Sequence, residues 1–118
     1  NWTVLFHQAF EAELNDMPEE LQDECLAHAR LLAEYGPNLG RPTVDTLKGS
    51  SFPNMKELRF SWMGQVWRVH LLSRPLRQAI LLVGGDKAGT SQTRFYKKLI
   101  KVADERYREH QDNLQSNK

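Results

Sequence analysis

Met55-Lys-Glu-Leu-Arg-Phe-Ser-Trp62, a Met63-Gly64 link and Gln65-Val-Trp-Arg-Val-His-Leu-Leu-Ser73 make up the stretch that decides the fold. In the first run Leu58, Phe60 and Trp62 alternate with Glu57 and Arg59; in the second, Trp67, Val69 and Leu71 alternate with Arg68 and His70. Successive side chains of a strand point to opposite faces, so this period of two predicts two strands, each with one apolar and one polar side. Met63-Gly64 supplies a plausible tight turn, which makes the pair an antiparallel hairpin. Matching the apolar faces gathers Glu57, Arg59, Arg68 and His70 on one polar surface, and a slip of a single residue would undo the grouping.

Downstream, Arg74-Pro75 turns the chain and Gln78 to Val83 reads as a continuous apolar strand ending in Gly84-Gly85-Asp86-Lys87. From Ser91, a fair N-cap, Phe95, Leu99, Val102, Ala103, Arg106 and Tyr107 follow helical spacing, and the polar stretch 111–118 is expected to fray. Upstream, Trp2 to Phe6 is a short β-rich run that enters a helix over Gln8 to Asn15. A second helix is signalled by Asp16-Met-Pro18, with Asp16 or Met17 near the cap and Glu19 and Glu20 on the positive end of the dipole. Its expected apolar stripe is Leu21, Cys25, His28, Leu32 and Tyr35 with Leu31 alongside, and Gly36-Pro37 closes it. These elements define an α+β fold: a small antiparallel-rich sheet with two N-terminal helices and a C-terminal helix, in one domain over 1–110 with a polar tail over 111–118.

At 118 residues, 40% apolar and 26% charged, the composition is that of one globular domain, and no apolar run approaches the roughly 20 residues needed to cross a bilayer. Trp2 to Phe10 lacks a basic leader, so it reads as strand and helix rather than signal peptide, and cytoplasmic residence is the default expectation. The single Cys25 cannot form an internal disulfide and fits a small buried hydrophobe. The net charge of +1 conceals a sorted chain. Residues 1–40 hold eight acidic side chains against one basic, whereas residues 41–101 hold twelve basic against Asp45, Glu57 and Asp86. A positive surface built on β-hairpins attracts polyanions, which makes RNA the first partner to consider.

The dispersed His7, His28, His70 and His110 match no metal-ligand spacing, and Gly84-Gly85-Asp86-Lys87-Ala88-Gly89 matches no nucleotide-binding loop, so neither a metal nor a cofactor is expected. The better constellation is cationic: Lys56, Arg59 and Arg68 on or beside the hairpin, Lys87 past the next strand, and Arg94, Lys97 and Lys98 opening the last helix. RNA cleavage can be built from such groups. Attack by a ribose 2′-hydroxyl on its phosphate needs a proton acceptor, positive groups for the developing charge and a donor for the leaving 5′-oxygen. Arginine clamps a phosphate with a fixed fork, and lysine stabilises charge or moves a proton. Glu57 and His70 are the acid/base candidates, and Tyr96 is the aromatic free of a core assignment for stacking on a base. Trp62, Trp67 and Phe95 fit core packing.

The order of elements, together with Gly40-Arg-Pro42, Leu47-Lys-Gly49, Met55-Lys-Glu-Leu-Arg59, Trp67-Arg-Val69 and Ala79-Ile-Leu-Leu82, resembles the RelE/HigB-like toxins of toxin–antitoxin modules. The tail Gly85-Asp-Lys-Ala-Gly89, Arg94-Phe-Tyr-Lys-Lys-Leu-Ile100 and Ala103-Asp-Glu-Arg-Tyr107 is similar to the phage-derived HigB subgroup. The resemblance implies a RelE-like fold and a metal-independent endoribonuclease that cuts mRNA in the ribosomal A site and inhibits translation. It also implies silencing by a cognate helix-turn-helix antitoxin, with higher-order toxin–antitoxin complexes. The family's basic sheet residues match at Arg59 and Arg68, with Lys87 nearest to its residue at the end of the last strand, and Lys56, Arg94, Tyr96 and Lys98 fall to RNA binding. One departure stands out: where the subgroup follows Arg-Val with small and aromatic residues ending in Asp-Pro, this chain reads His70-Leu-Leu-Ser-Arg-Pro75. Two rival readings share the fold: a ParE-type toxin that poisons DNA gyrase, and a non-catalytic module that binds RNA or an antitoxin.

Overall fold

In the computed structural model, which describes residues 1–116, the hairpin forms with the expected register. Strand β3 (Met55–Trp62) pairs antiparallel with β4 (Gln65–Arg74), setting Glu57 opposite His70, Arg59 opposite Arg68 and Trp62 opposite Gln65. Met63 and Gly64 both take positive φ, 52° and 73°, the two-residue turn whose twist matches that of the strands it joins. The other elements are β1 (Thr3–Phe6), α1 (Gln8–Asn15), α2 (Glu19–Tyr35), a 3-10 turn (Pro37–Leu39), β2 (Val44–Thr46), β5 (Gln78–Gly85) and α3 (Gln92–Ser116).

The sheet runs β1-β5-β4-β3-β2, mixed because β1 lies parallel to β5. Strand β2 adds a fifth member that three residues of sequence pattern could not announce; it covers the edge of β3 and sets Asp45 opposite Glu57. Helix α3 continues past Gln111 to Ser116, where fraying was expected; residues 117 and 118, the end of that stretch, lie outside the described residues. Asp16 closes α1, and Pro18 takes the N-cap position of α2, so the helix-start signal splits between two helix ends.

Each sheet face carries its own core. On one, Leu58, Phe60, Val69, Leu71, Ala79 and Leu81 meet Phe10 and Leu14 of α1 and Leu21, Cys25, Ala29 and Leu32 of α2. Trp62 and Trp67 pack against this core as expected. Tyr35 and Leu31, placed on the buried stripe by spacing, are largely exposed, and Ala29 takes their place. Burial pushes the Cys25 thiol up to about 11, which leaves it a packing residue near neutral pH. On the other face, Met55, Leu72, Ile80, Leu82 and Val83 meet Phe95, Leu99, Ala103 and Tyr107 of α3.

Two local devices hold the layers. Gly36 has φ 72°, and a Cβ there would lie 2.3 Å from Nε1 of the Trp2 indole, so glycine both ends α2 and admits the indole. The β4–β5 register slips between His70 and Leu71, and Arg106 of α3 donates 2.8 Å to the Leu82 carbonyl beside that slip while gripping Glu13 of α1 through both carboxylate oxygens. Among the described residues no helix is long and apolar enough to cross a membrane.

Candidate active site

On the α3 face, β3 and β4 present three successive rungs: Met55 with Leu72, Glu57 with His70, and Arg59 with Arg68. The face therefore grades from apolar to cationic toward the hairpin turn. The first turns of α3 lie across the middle rung, where Tyr96 donates 2.8 Å to Glu57 Oε1 and its ring stacks on His70 with centroids 6.0 Å apart.

Glu57, only 1% exposed, is the centre of the arrangement. Its Oε1 accepts from Arg59 Nε at 2.7 Å as well as from Tyr96, and Arg68 Nε stands 3.8 Å away. Its Oε2 lies 3.0 Å from His70 Nε2. A carboxylate only accepts, so the proton of His70 belongs on Nε2; Nδ1 is buried without a partner. Burial by itself would raise the Glu57 pKa, but the hydrogen bonds from His70, Arg59 and Tyr96 outweigh it and hold the carboxyl below its ordinary 4.5. The Tyr96 phenol is pushed up, by its own burial and by donating to that carboxylate.

The arginines line a shallow pocket of about 340 Å³ with Pro42, Thr43, Phe60, Ser61 and Val66. Arg59 is held on a second side by Asp45, 3.3 Å from Nη2, and Arg41 reaches the same carboxylate oxygen at 3.5 Å. Arg68 lies over the rings of Tyr96 and Phe95 at 5.8 and 5.9 Å, and its Nη1 donates to the Val66 carbonyl at 3.4 Å. Like charges directly opposed on neighbouring strands repel, and here the buried carboxylate between the two arginines offsets the repulsion.

The remaining expected residues separate. Lys87 stands two positions past Gly85, the β5 partner of Arg68, in the loop leading to α3, and donates to Gln92 at 3.4 Å. Arg94 and Lys98 line a different groove, about 480 Å³, with Glu13, Asp86 and the Gly84-Gly85 backbone. Lys56 has the parity of Leu58 and Phe60, so it points away from the arginines, and its Nζ donates to Thr46. Nearness in sequence put it beside Arg59, and strand alternation sends it to the other face, so an RNA contact by Lys56 would lie apart from the arginines. Tyr96, expected as a base-stacking surface, is instead committed to Glu57 and His70. Glu57 and His70, the acid/base candidates, are both sealed from solvent. Asp45 was missed; the signal available was its position as one of three acids in a strongly basic half, but its strand is too short to read.

A RelE-like α+β fold with paired arginines at one end of its sheet is the class these features define. Two solved structures share that fold: an arginine-to-alanine double mutant of E. coli toxin RelE in the free state (TM-score 0.56, 7% identity, 84% of this chain and 93% of that one) and the isolated E. coli RelE toxin (TM-score 0.54, 10% identity, 86% and 97%). Residues 12–108 match the family described as Phage derived protein Gp49-like (DUF891), and the chain belongs to that family. It is also similar to two Mycobacterium tuberculosis proteins named as toxins: HigB2, 44% identical over 100 residues, and HigB3, 51% identical over 76. These alignments cover 84% and 64% of this chain, which spans 49% of HigB2 and 64% of HigB3.

Proposed function

We propose that the protein is the toxin of a toxin–antitoxin pair, an endoribonuclease that cuts mRNA in the ribosomal A site and is silenced by a helix-turn-helix antitoxin. The observation that carries this reading is the Arg59–Arg68 rung: two guanidinium groups side by side, backed by one buried carboxylate and open to a pocket. The similarity to proteins named as HigB toxins and the fold shared with RelE support it.

In this mechanism Arg59 and Arg68 hold the scissile phosphate and neutralise the charge that develops on it. The 2′-oxygen bonds to phosphorus as the bond from phosphorus to the 5′-oxygen breaks, giving a cyclic phosphate and a 5′-hydroxyl. The 2′-hydroxyl proton leaves to an acceptor, and the 5′-oxygen takes one from a donor, a part that falls to Lys87, half-buried in the loop after β5. Glu57 and His70 serve this chemistry from behind the arginines, because neither faces the pocket. Arg94 and Lys98, on their separate groove, bind RNA backbone away from the cut.

Primer extension on ribosomes stalled over a defined mRNA tests the proposal. New 5′ ends inside the A-site codon that disappear with Arg68→Ala and weaken with Lys87→Ala are expected. Intact mRNA with folded wild-type protein rejects nuclease action, and accumulation of broken DNA in expressing cells would direct attention to gyrase.

A further inference from the structure

We propose that Glu57 is a positioning residue, a buried acceptor that presets both arginines for a phosphate rather than an acid or base that touches RNA. The proposal deepens the nuclease reading and rests on it. Three donors hydrogen-bond this one carboxylate, Nε of Arg59, the phenol of Tyr96 and Nε2 of His70, and Nε of Arg68, buried without a hydrogen-bond partner of its own, stands 3.8 Å from it as an ion pair. They come from β3, β4 and α3, so a single side chain ties the three elements that frame the pocket.

The geometry separates positioning from proton transfer. Both oxygens of Glu57 are already engaged, and α3 closes over them, which leaves no path for a substrate hydroxyl. The hold on Arg59 is through Nε, while Asp45 takes one Nη2 donor; the Nη1 donors make no hydrogen bond with the described residues. A guanidinium fastened at its inner edge loses little freedom when its outer edge meets a phosphate, so its ordering cost is met in folding. Stability is a poor reason for the cluster. Buried ion pairs are often no better than apolar packing of equal volume, and the same two strands pack apolar side chains on their opposite face. What the cluster does that leucines could not is keep two opposed arginines aligned in the absence of an anion.

A carboxamide in place of Glu57 would turn an NH2 group toward donors, whereas aspartate keeps the charge on a shorter arm. The test compares Glu57→Gln, Glu57→Asp, Arg59→Ala and the Glu57→Gln/Arg59→Ala double variant in the full chain, with folding followed by circular dichroism. Solvent exchange of the Arg59 Nε proton, read by nitrogen-15 NMR, reports the hold directly and needs no RNA. Exchange about tenfold faster in Glu57→Gln, and partly restored in Glu57→Asp, is expected. Single-turnover cleavage on stalled ribosomes should fall about 100-fold at saturation with half-saturation changed less than about threefold, since misplacement of reacting groups lowers rate more than binding. In the Arg59→Ala background, where the arginine hydrogen-bonded to Glu57 is gone, the same change should cost less than about tenfold. Unchanged Arg59 exchange in folded Glu57→Gln, or losses that simply multiply in the double variant, overturns the positioning role. Wild-type protein that cuts nothing overturns the nuclease reading instead, and the exchange result then still decides whether Glu57 holds the arginines. If Glu57→Gln does not fold, Glu57→Asp carries both readouts, and wild-type exchange and wild-type rate in that variant reject the proposal.

Discussion

On the face under α1 and α2, β3 and β4 offer Leu58, Phe60, Val69 and Leu71, all nearly inaccessible and all apolar. On the face under α3, the same two strands begin with Met55 and Leu72 and end with Arg59 and Arg68, passing through Glu57 and His70, which are buried as fully as the leucines behind them. One alternation generates both surfaces, and the helices decide what each becomes. Where two helices cover the strands, only packing is asked of the side chains. Where the one helix begins near Phe95 and Tyr96, the polar face is left half covered: its inner rung has the Glu57 carboxylate fully engaged while His70 Nδ1 stays unpartnered, and its outer rung is open to an anion. The difference teaches that a buried charge is kept where donors converge on it, as Arg59, His70 and Tyr96 do on Glu57.

The largest effect expected is on the apolar face. Phe10, 1% exposed and packed against Gly84 and Phe6, should lose about 3–5 kcal/mol of stability when replaced by alanine, read from the urea midpoint. A loss below 1 kcal/mol would show that this core is loose and would break the contrast between the faces. Next comes the outer rung. Arg68→Ala should slow cleavage ~100- to 1,000-fold, about 3–4 kcal/mol of transition-state stabilisation, with the urea midpoint nearly unmoved. A variant that instead unfolds would make the rung structural and erase the distinction.

Acid sharpens the inner rung. Glu57 has a folded pKa below its ordinary 4.5, so its contribution to stability is full above that value and is lost as pH falls through the folded pKa. Wild-type stability should therefore drop below pH 4.5 more steeply than that of Glu57→Gln, measured by denaturant titration at successive pH; parallel curves would mean that the carboxyl is not held by its donors. Glu13, whose carboxyl is lowered by the hydrogen bond from Arg106, contributes the same sign to both proteins and cancels in the comparison. The smallest effect belongs to Lys56, which sits next to Glu57 in sequence and on the other face in space. Lys56→Ala should leave the cleavage rate within about twofold, consistent with surface substitutions away from a site; a tenfold loss would place RNA on both faces.

Much of this was legible in the residues. The alternation in Met55–Trp62 and Gln65–Arg74 yielded the hairpin, its turn and the grouping of Glu57, Arg59, Arg68 and His70 on one face, because matching the apolar sets leaves these four together. The helix over Gln8–Asn15 and the end of α2 at Gly36 were equally plain, since caps and breakers act within a few residues of themselves. The sorted charge pointed to the basic strands, and the resemblance to RelE/HigB-like toxins to the family.

What the sequence by itself determined, then, was which side chains share a face. Tertiary structure alone decided what that face became. The laying of α3 over Glu57 and His70 turned two supposed acid/base groups into buried partners, and a phenol supposed free to stack became a hydrogen-bond donor. The three-residue β2 brought Asp45 to Arg59, and the sides of α3 parted Arg94 and Lys98 from the arginine pocket. The physical reason is range: alternation and capping are set by neighbours along the chain, whereas desolvation and the convergence of donors on one carboxylate depend on elements about forty residues apart, such as Glu57 and Tyr96.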